Sequence, residues 1–480
     1  MSGPTIGIVG GGYIGSAAAI HLARCSRQSL DLVIVEPSEA LGGGVAFSAN
    51  DPDHRLNAPS RVHFLYPENT ESFTEWHRLS GAQAADPGSV AADGRVYARR
   101  ADFGAYVSEE LDAHRQENPS GSTITHLRDT AEGLIKQKSG WRLTLSSGAV
   151  LDAAMVLVTP CNLRPALPAP LGELAGHPAV YANPWDLTQL GAIAPDARVL
   201  IVGTGLTMAD VAVTLLRGGP KRHLTAISRR GLFPQPARSH PPSETVWEAL
   251  SRPIPAFVER NGVPATALAV LRAFRADVAR NAAQGIEWQV AFDELRDAAY
   301  RLWPSLPPAE QQRYFRHLSP WYESHRFRLP PQVGEKLERY RQDGQLEYRA
   351  GFITTVTAEE DEAVAIGLRA RSQGSVEFER FDAVVNCTGP ERDPARAGNP
   401  LLAQMIIAGL AAASPFGMGL EVDRDCRSLT NTGAALESLR ILGPMTRSRF
   451  GEINGIPTIA QQIHRVTGEI AASLDAAQAG

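Results

Sequence analysis

The chain has 480 residues, 43% hydrophobic and 21% charged, with 47 basic against 52 acidic side chains and a net charge of −5. That balance excludes a disordered or fibrous chain, and it offers no basic footprint for nucleic acid. No apolar run approaches the roughly 18 residues of a membrane span, and no basic flank precedes the apolar run Thr5–Val9, so neither a span nor a signal peptide is expected.

At about 150 residues per domain, the length suggests about three units. The cysteines stand at 25, 161, 387 and 426, too scattered for a dithiol or a disulfide framework. A reducing, cytoplasmic setting follows as the expectation, with no metal site of closely spaced Cys and His.

The first element is the strand–turn–helix pattern Ile6–Arg24, with Gly10, Gly12 and Gly15 spaced as a dinucleotide fingerprint. Gly10 makes the tight turn, Gly12 admits a pyrophosphate to the backbone, and Gly15 lets the helix approach the sheet. The helix start, with Tyr13 and Ile14, offers free N–H groups and a positive dipole end. The next strand ends at Glu36, whose carboxylate suits ribose hydroxyls and an adenosine without a 2′-phosphate. A polar cluster follows at His54, Asn57, Arg61 and His63. Asn57 could hydrogen-bond a reactive oxygen or a nicotinamide, and His63 could donate a proton, which makes them the catalytic candidates. Alternatively, Asn57 satisfies the backbone of its own loop.

A second strand–turn–helix follows at Val199–Arg217, offset from the first by 193 residues. Ile8/Ile201, Val9/Val202, Gly10/Gly203, Gly12/Gly205, Ala19/Ala212, Leu22/Leu215 and Arg24/Arg217 are identical. Gly203, Gly205, Leu206 and Thr207 are its expected nucleotide contacts, while Met208 stands where the third glycine would be. The same offset carries Glu36 onto Arg229, beside Arg230. Guanidinium groups there favour a phosphate, so FAD is expected in the first copy and NADPH in the second. Arg238 and His240 lie just beyond as further cofactor or substrate contacts.

From 241 to 331 the apolar residues recur at helical spacing around Trp247, Trp288, Trp303 and Trp321, predicting a helical cap that buries these rings. Alternation returns from Gln345 to Phe381 as a strand meander leading back to the FAD-binding part. Strand ends at Val156–Asn162 and Val384–Gly389 read as crossovers between domains, with Cys161 and Cys387 as small buried fillers. Gly443-Pro444 and Gly455-Ile456-Pro457 then introduce a final helix, Thr458–Leu474.

The segments LGGGVAF (Leu41–Phe47), HRLNAPSR (His54–Arg61), NPWD (Asn183–Asp186), ISRRGLFP (Ile227–Pro234), VNCTGP (Val385–Pro390) and LGPMTR (Leu442–Arg447) resemble the bacterial FAD-NAD(P)-binding family, flavoproteins with two dinucleotide-binding domains. The resemblance implies an α/β fold of two Rossmann-like domains plus a helical cap. FAD would be held by residues 1–165 and 346–480, NADPH by 170–240 and 332–345, with 241–331 as the cap. It implies flavin contacts at Gly43, Gly389, Gly443 and Ile456, the last on a helix whose N-terminus faces the flavin. The stretch Leu174–Trp185 resembles part of a monooxygenase signature, with Tyr181 where a histidine is usual. Three activities fit: oxygen transfer to a small polar substrate, with amine N-oxygenation favoured; NADPH-dependent reduction of a quinone or protein acceptor; or a non-catalytic nucleotide sensor. The partners expected are a small-molecule substrate and molecular oxygen, without nucleic acid or membrane. Surfaces of such proteins pair, leaving a homodimer open.

Overall fold

The computed structural model describes residues 3–160, 162–239, 245–372 and 374–479. Its first layer is a six-stranded sheet in the order β15-β16-β7-β1-β2-β3. These strands are β1 (Thr5–Val9), β2 (Asp31–Val35), β3 (Thr123–Leu127), β7 (Met155–Val158), β15 (Arg427–Leu429) and β16 (Ala435–Ile441). All neighbours run parallel except β15, which pairs antiparallel with β16 at the edge. Strands covered on both faces read as unbroken apolar runs, and the buried centres of β1, β2 and β7 do so. One face is covered by helices α1 (Tyr13–Cys25), α2 (Arg100–Gln116) and α5 (Ile456–Ala479). The other is covered by an antiparallel meander of β4 (Ala131–Lys136), β5 (Trp141–Leu145) and β6 (Val150–Ala153).

The second sheet runs β13-β12-β11-β10-β9-β14-β8. Its strands are β8 (Val180–Tyr181), β9 (Arg198–Val202), β10 (His223–Ser228), β11 (Leu346–Ala358), β12 (Val364–Ala370), β13 (Val376–Phe381) and β14 (Ala383–Asn386). Helices α3 (Leu206–Leu216) and α4 (Pro331–Gln342) pack on one face. Here the expected boundary at 346 is corrected. The first half of β11 pairs parallel with β10 and its second half antiparallel with β12. Residues 346–386 therefore extend the second sheet, and the chain re-enters the first domain only after β14. Alternation marks strands but is silent about the edge they join.

The duplication holds in three dimensions: β1, β2 and β7 correspond to β9, β10 and β14. The offset, however, changes along the chain. Val9 pairs with Val35, whereas Val202 pairs with Ile227, so the offset shrinks from 193 to 192 residues between the two strands. Ser228, not Arg229, takes the place of Glu36. The two positions do the same local work. Glu36 accepts from the Gly11 amide at 2.9 Å, and Ser228 accepts from the hydroxyl of Thr204, the counterpart of Gly11, at 2.9 Å. Arg229 and Arg230 follow one and two residues later.

Helices spanning Val246–Ser251 to Ser319–Arg326 form the cap around Phe257, Val258, Ala298 and Leu302. Trp303 is buried and donates to the Ser448 carbonyl at 2.9 Å, tying the cap to the first domain. Trp247 meets Phe64 and His464 edge-on, and Trp288 packs on Phe292 and His325. Of the four rings expected to be buried only Trp303 is; Trp247 and Trp288 are half-buried and Trp321 is 48% exposed. Apolar spacing predicts a helix face but not whether a neighbour covers it.

Candidate functional site: one cavity at the meeting of both domains and the cap

The two Gly-x-Gly turns are built alike. Gly10 has φ +106° and Gly203 φ +113°, both in the region that favours glycine. A Cβ on Gly10 would lie 2.8 Å from Thr159 Oγ1, and one on Gly203 would lie 2.2 Å from the Cys387 carbonyl oxygen. Each turn is thus wedged against the crossover strand of its own sheet, β7 or β14. Gly15 allows close helix–strand packing, since a Cβ there would sit 1.9 Å from the Gly10 carbonyl oxygen. Met208, its counterpart, is instead buried in the core of the second domain.

Between these turns lies a cavity of about 1340 Å³. Among the expected contacts, Gly10, Gly12, Tyr13, Ile14, Glu36, Gly43, Asn57, His63, Gly203, Gly205, Leu206, Thr207, Arg229, Arg230, Gly389 and Ile456 line it. Gly15 and Gly443 do not. A Cβ on Gly443 would lie 2.2 Å from Ile14 Cδ1, so this glycine admits a packed side chain.

Glu36 bonds the Gly11 amide through one oxygen and the Ser38 amide, at 3.0 Å, through the other. Each oxygen thus accepts one bond and can accept another, and Glu36 lines the cavity. Arg229 is exposed, and Arg230 donates to the Arg316 carbonyl at 3.3 Å. Among the described residues neither forms an ion pair, which leaves both charges for an anion.

In the polar cluster after the first fingerprint, Asn57 makes no side-chain hydrogen bond among the described residues and lines the cavity. Its loop is held by other means, including the Leu56 amide on the Ala98 carbonyl at 2.9 Å. His63 is buried, its ring edge-on to Phe103, and its Nδ1–H donates to the Pro59 carbonyl at 3.2 Å. Burial pulls its pKa down to about 4, with the Pro59 bond opposing and Arg100 adding to the shift. The ring is neutral near pH 7 with Nε2 as an acceptor. Held neutral, the ring carries no proton on Nε2 to give, and a pKa of about 4 makes it a weak base, so Nε2 is a hydrogen-bond acceptor in place of the expected proton donor. His54 lies outside the cavity and joins the two domains, with Nε2 3.0 Å from Thr214 Oγ1 on α3.

That contact belongs to a network between domains that the motifs did not reveal. Buried Asp51 pairs with Arg217 and accepts from Thr214 Oγ1 at 2.7 Å. Asp53 pairs with Arg217 at 3.1 Å and with Lys336 at 2.6 Å, and Arg100 pairs with Asp210 at 2.7 Å. Paired acidic residues in the short segment Asp51–Asp53 were the available signal.

The cap side of the cavity is rich in arginine. Arg296 bonds Asp297 at 2.7 Å and Asp293 at 3.1 Å, and Arg328 bonds Asp293 at 3.1 Å. Arg326 bonds Glu452 at 3.1 Å, and Arg392 bonds Glu323 at 2.8 Å. Arg238 stands 3.7 Å from Asp293 while its buried Nε has no partner. Arg447 makes no ion pair at all among the described residues. Cys387 is buried, and burial pushes its thiol pKa well up, which suits a filler and not a nucleophile. Tyr181, on edge strand β8, packs on the second core and does not reach the cavity, whereas Trp185 does. Cys161 and His240 lie outside the described residues. Among the described residues no cluster of His, Cys, Asp or Glu could hold a metal ion, and no helix is long and apolar enough to cross a membrane.

Two parallel-sheet domains with paired glycine turns on one cavity define a flavoprotein fold with two dinucleotide-binding domains. The sequence profile of the FAD-NAD(P)-binding family matches residues 7–162, the N-terminal third of the chain. No curated protein matches the chain by sequence. Among solved structures, the reduced form of an ornithine hydroxylase from Pseudomonas aeruginosa superposes with a TM-score of 0.62 at 18% identity, covering 99% of this chain and 100% of that one. An ornithine N-hydroxylase from Kutzneria sp. 744 gives a TM-score of 0.64 at 14% identity, covering 100% of both chains. The L-lysine 6-monooxygenase of Pseudomonas syringae gives 0.59 at 18% identity, covering 99% of both. At these identities the likeness is one of fold.

Proposed function

We propose that the chain is an FAD- and NADPH-dependent oxidoreductase, a flavin monooxygenase that transfers one oxygen atom to the amine of a small polar substrate. The balance is amine, O2, NADPH and a proton giving hydroxylamine, NADP+ and water. The observation that carries this reading is a single cavity onto which both dinucleotide turns and the arginine-rich cap open. The residues present fit both nucleotides: glycine cradles that a Cβ would fill, a carboxylate with spare lone pairs, and two unpaired guanidinium groups. The buried amide nitrogen of Asn454, beside the cavity and without a partner, adds a donor suited to a flavin carbonyl.

When bound, FAD and NADPH supply hydride transfer and oxygen activation. The chain's own groups do the rest. Gly10 and Gly12 with the start of α1 hold one pyrophosphate, Gly203 and Gly205 with the start of α3 the other. Glu36 orients a ribose, and Arg229 and Arg230 take a 2′-phosphate. Asn57 orients the reacting groups through its free amide, His63 Nε2, neutral and weakly basic, accepts a hydrogen bond from the substrate amine, and the cap excludes water. The names of the solved neighbours, hydroxylases of ornithine and a monooxygenase of lysine, support N-oxygenation as the subtype. A reductase relaying electrons through a thiolate is disfavoured, because burial raises both Cys387 and Cys426, the latter to about 12.

The test is NADPH consumption under oxygen with candidate amines. NADPH loss coupled to hydroxylamine supports the reading, and turnover with quinones without oxygen incorporation would refute it. Replacing Arg229 and Arg230 together by Glu should raise KM for NADPH by roughly 10- to 100-fold and leave that for NADH nearly unchanged.

A further inference from the structure

Arg447 opens the short helix Arg447–Phe450, directly after the turn at Gly443–Thr446. It lines the cavity, its Nε is buried without a partner, and no hydrogen bond or ion pair reaches its guanidinium among the described residues. The carboxylates closest in charge to it are already engaged. Glu323 is bonded to Arg392, and Glu452 to Arg326 and to the Tyr322 hydroxyl at 3.2 Å. Arg392 stands near enough to repel Arg447, and burial with that repulsion pulls the Arg447 pKa down from its ordinary value. An arginine keeps its proton even so. Arg447 is half-buried with its Nε enclosed, and a partly desolvated guanidinium without a partner is a place where an anion can complete the polar shell.

Cofactor phosphates are not the natural occupant. Their cradles are the Gly10 and Gly203 turns, with Arg229 and Arg230 beside the second. Arg447 instead sits at the seam with the cap: the neighbouring Ser448 carbonyl accepts from Trp303, and a Cβ on Gly451 would lie 2.7 Å from Trp303 Cβ. Here the cap and the first domain meet beside the cavity.

Resting on the oxygenase reading above, we propose that Arg447, with Arg392 beside it, is a binding site for an anionic oxygen group of the substrate, a carboxylate or a phosphate. A substrate of this class carries its amine at one end and its acid at the other. Planar guanidinium groups match such oxygens two at a time.

The experiment titrates FAD-loaded protein with matched probes and reads the flavin absorbance change on binding, without turnover. Ornithine and lysine are compared with putrescine and cadaverine, which lack the carboxylate, and succinate and inorganic phosphate are added as amine-free anions. The expected result is at least about tenfold tighter binding of the carboxylated member or of one of the amine-free anions. That preference should vanish in Arg447→Gln and return in part in Arg447→Lys, with FAD content and the KM for NADPH unchanged. Succinate binding separates a carboxylate site from a phosphate site, which inorganic phosphate would fill. Equal binding of acids and decarboxylated amines, or no saturable change at millimolar anion, would overturn the proposal. So would a rise in the KM for NADPH or a loss of FAD in Arg447→Lys, since Arg447 would then serve a cofactor phosphate. Failure of the oxygenase reading looks different: anions bind through Arg447, yet no probe yields hydroxylamine.

Discussion

His63 gives the sharpest quantitative test of the site, because its environment and its proposed role depend on the same burial. Its folded pKa of about 4 lies below the ordinary 6.5. The group's folded pKa is depressed, so the unfolded chain binds the proton first as pH falls. The stabilising contribution is full above pH 6.5 and is lost as pH drops toward 4. A separation of 2.5 units at about 1.36 kcal/mol each is about 3 kcal/mol over the whole range. At pH 5, about 2 kcal/mol is already gone. His63→Asn keeps a donor for the Pro59 carbonyl but cannot titrate. The difference in unfolding free energy between pH 7 and pH 5, measured by urea denaturation, should therefore shrink by about 2 kcal/mol in the variant relative to the parent. His21 offers a control: burial also pulls it to about 4, its Nε2 lies 2.9 Å from the Leu65 carbonyl, and it does not line the cavity. Its replacement should flatten the pH profile by a similar amount without changing catalysis, whereas His63→Asn should also lower kcat. An unchanged pH slope in His63→Asn would show that the ring is not held neutral, and the role of Nε2 as a hydrogen-bond acceptor would fall with it.

Two further outcomes follow from the geometry. Gly203→Ala places a Cβ against the Cys387 carbonyl at positive φ, and should weaken NADPH binding while the protein stays yellow. Gly10→Ala should instead lose flavin absorbance per mole of protein, and loss of FAD from both variants alike would contradict the assignment of one nucleotide to each turn. Asp51→Asn removes one charge from the interdomain network and leaves Arg217 with Asp53 alone. Since Arg217 is partly exposed, a destabilisation of roughly 1–2 kcal/mol is expected, with increased protease cleavage between the domains; an unchanged cleavage rate would show that the network does not hold them together.

What the sequence determined by itself is local. A Gly-x-Gly turn, a buried apolar strand and a proline-led helix are fixed by residues within a few positions of one another. The two glycine turns, the acidic strand end at Glu36, the helical cap and the final helix, expected over Thr458–Leu474 and observed over Ile456–Ala479, were accordingly legible from local spacing. Tertiary structure decided whatever depends on register or convergence. Deleting one residue between α3 and β10 moved Ser228 into the place of Glu36, which only strand pairing reveals. The edge chosen by β11 drew residues 346–386 into the second sheet. Burial leaves His63 neutral, able to accept a hydrogen bond at Nε2 but without the proton expected there, because desolvation acts through neighbours distant in sequence such as Phe103. The pairing of Arg326 with Glu452 and of Arg392 with Glu323 spans more than sixty residues in each case, and this distant pairing of charge is what leaves Arg447, between them on the cap side of the cavity, without a carboxylate partner among the described residues.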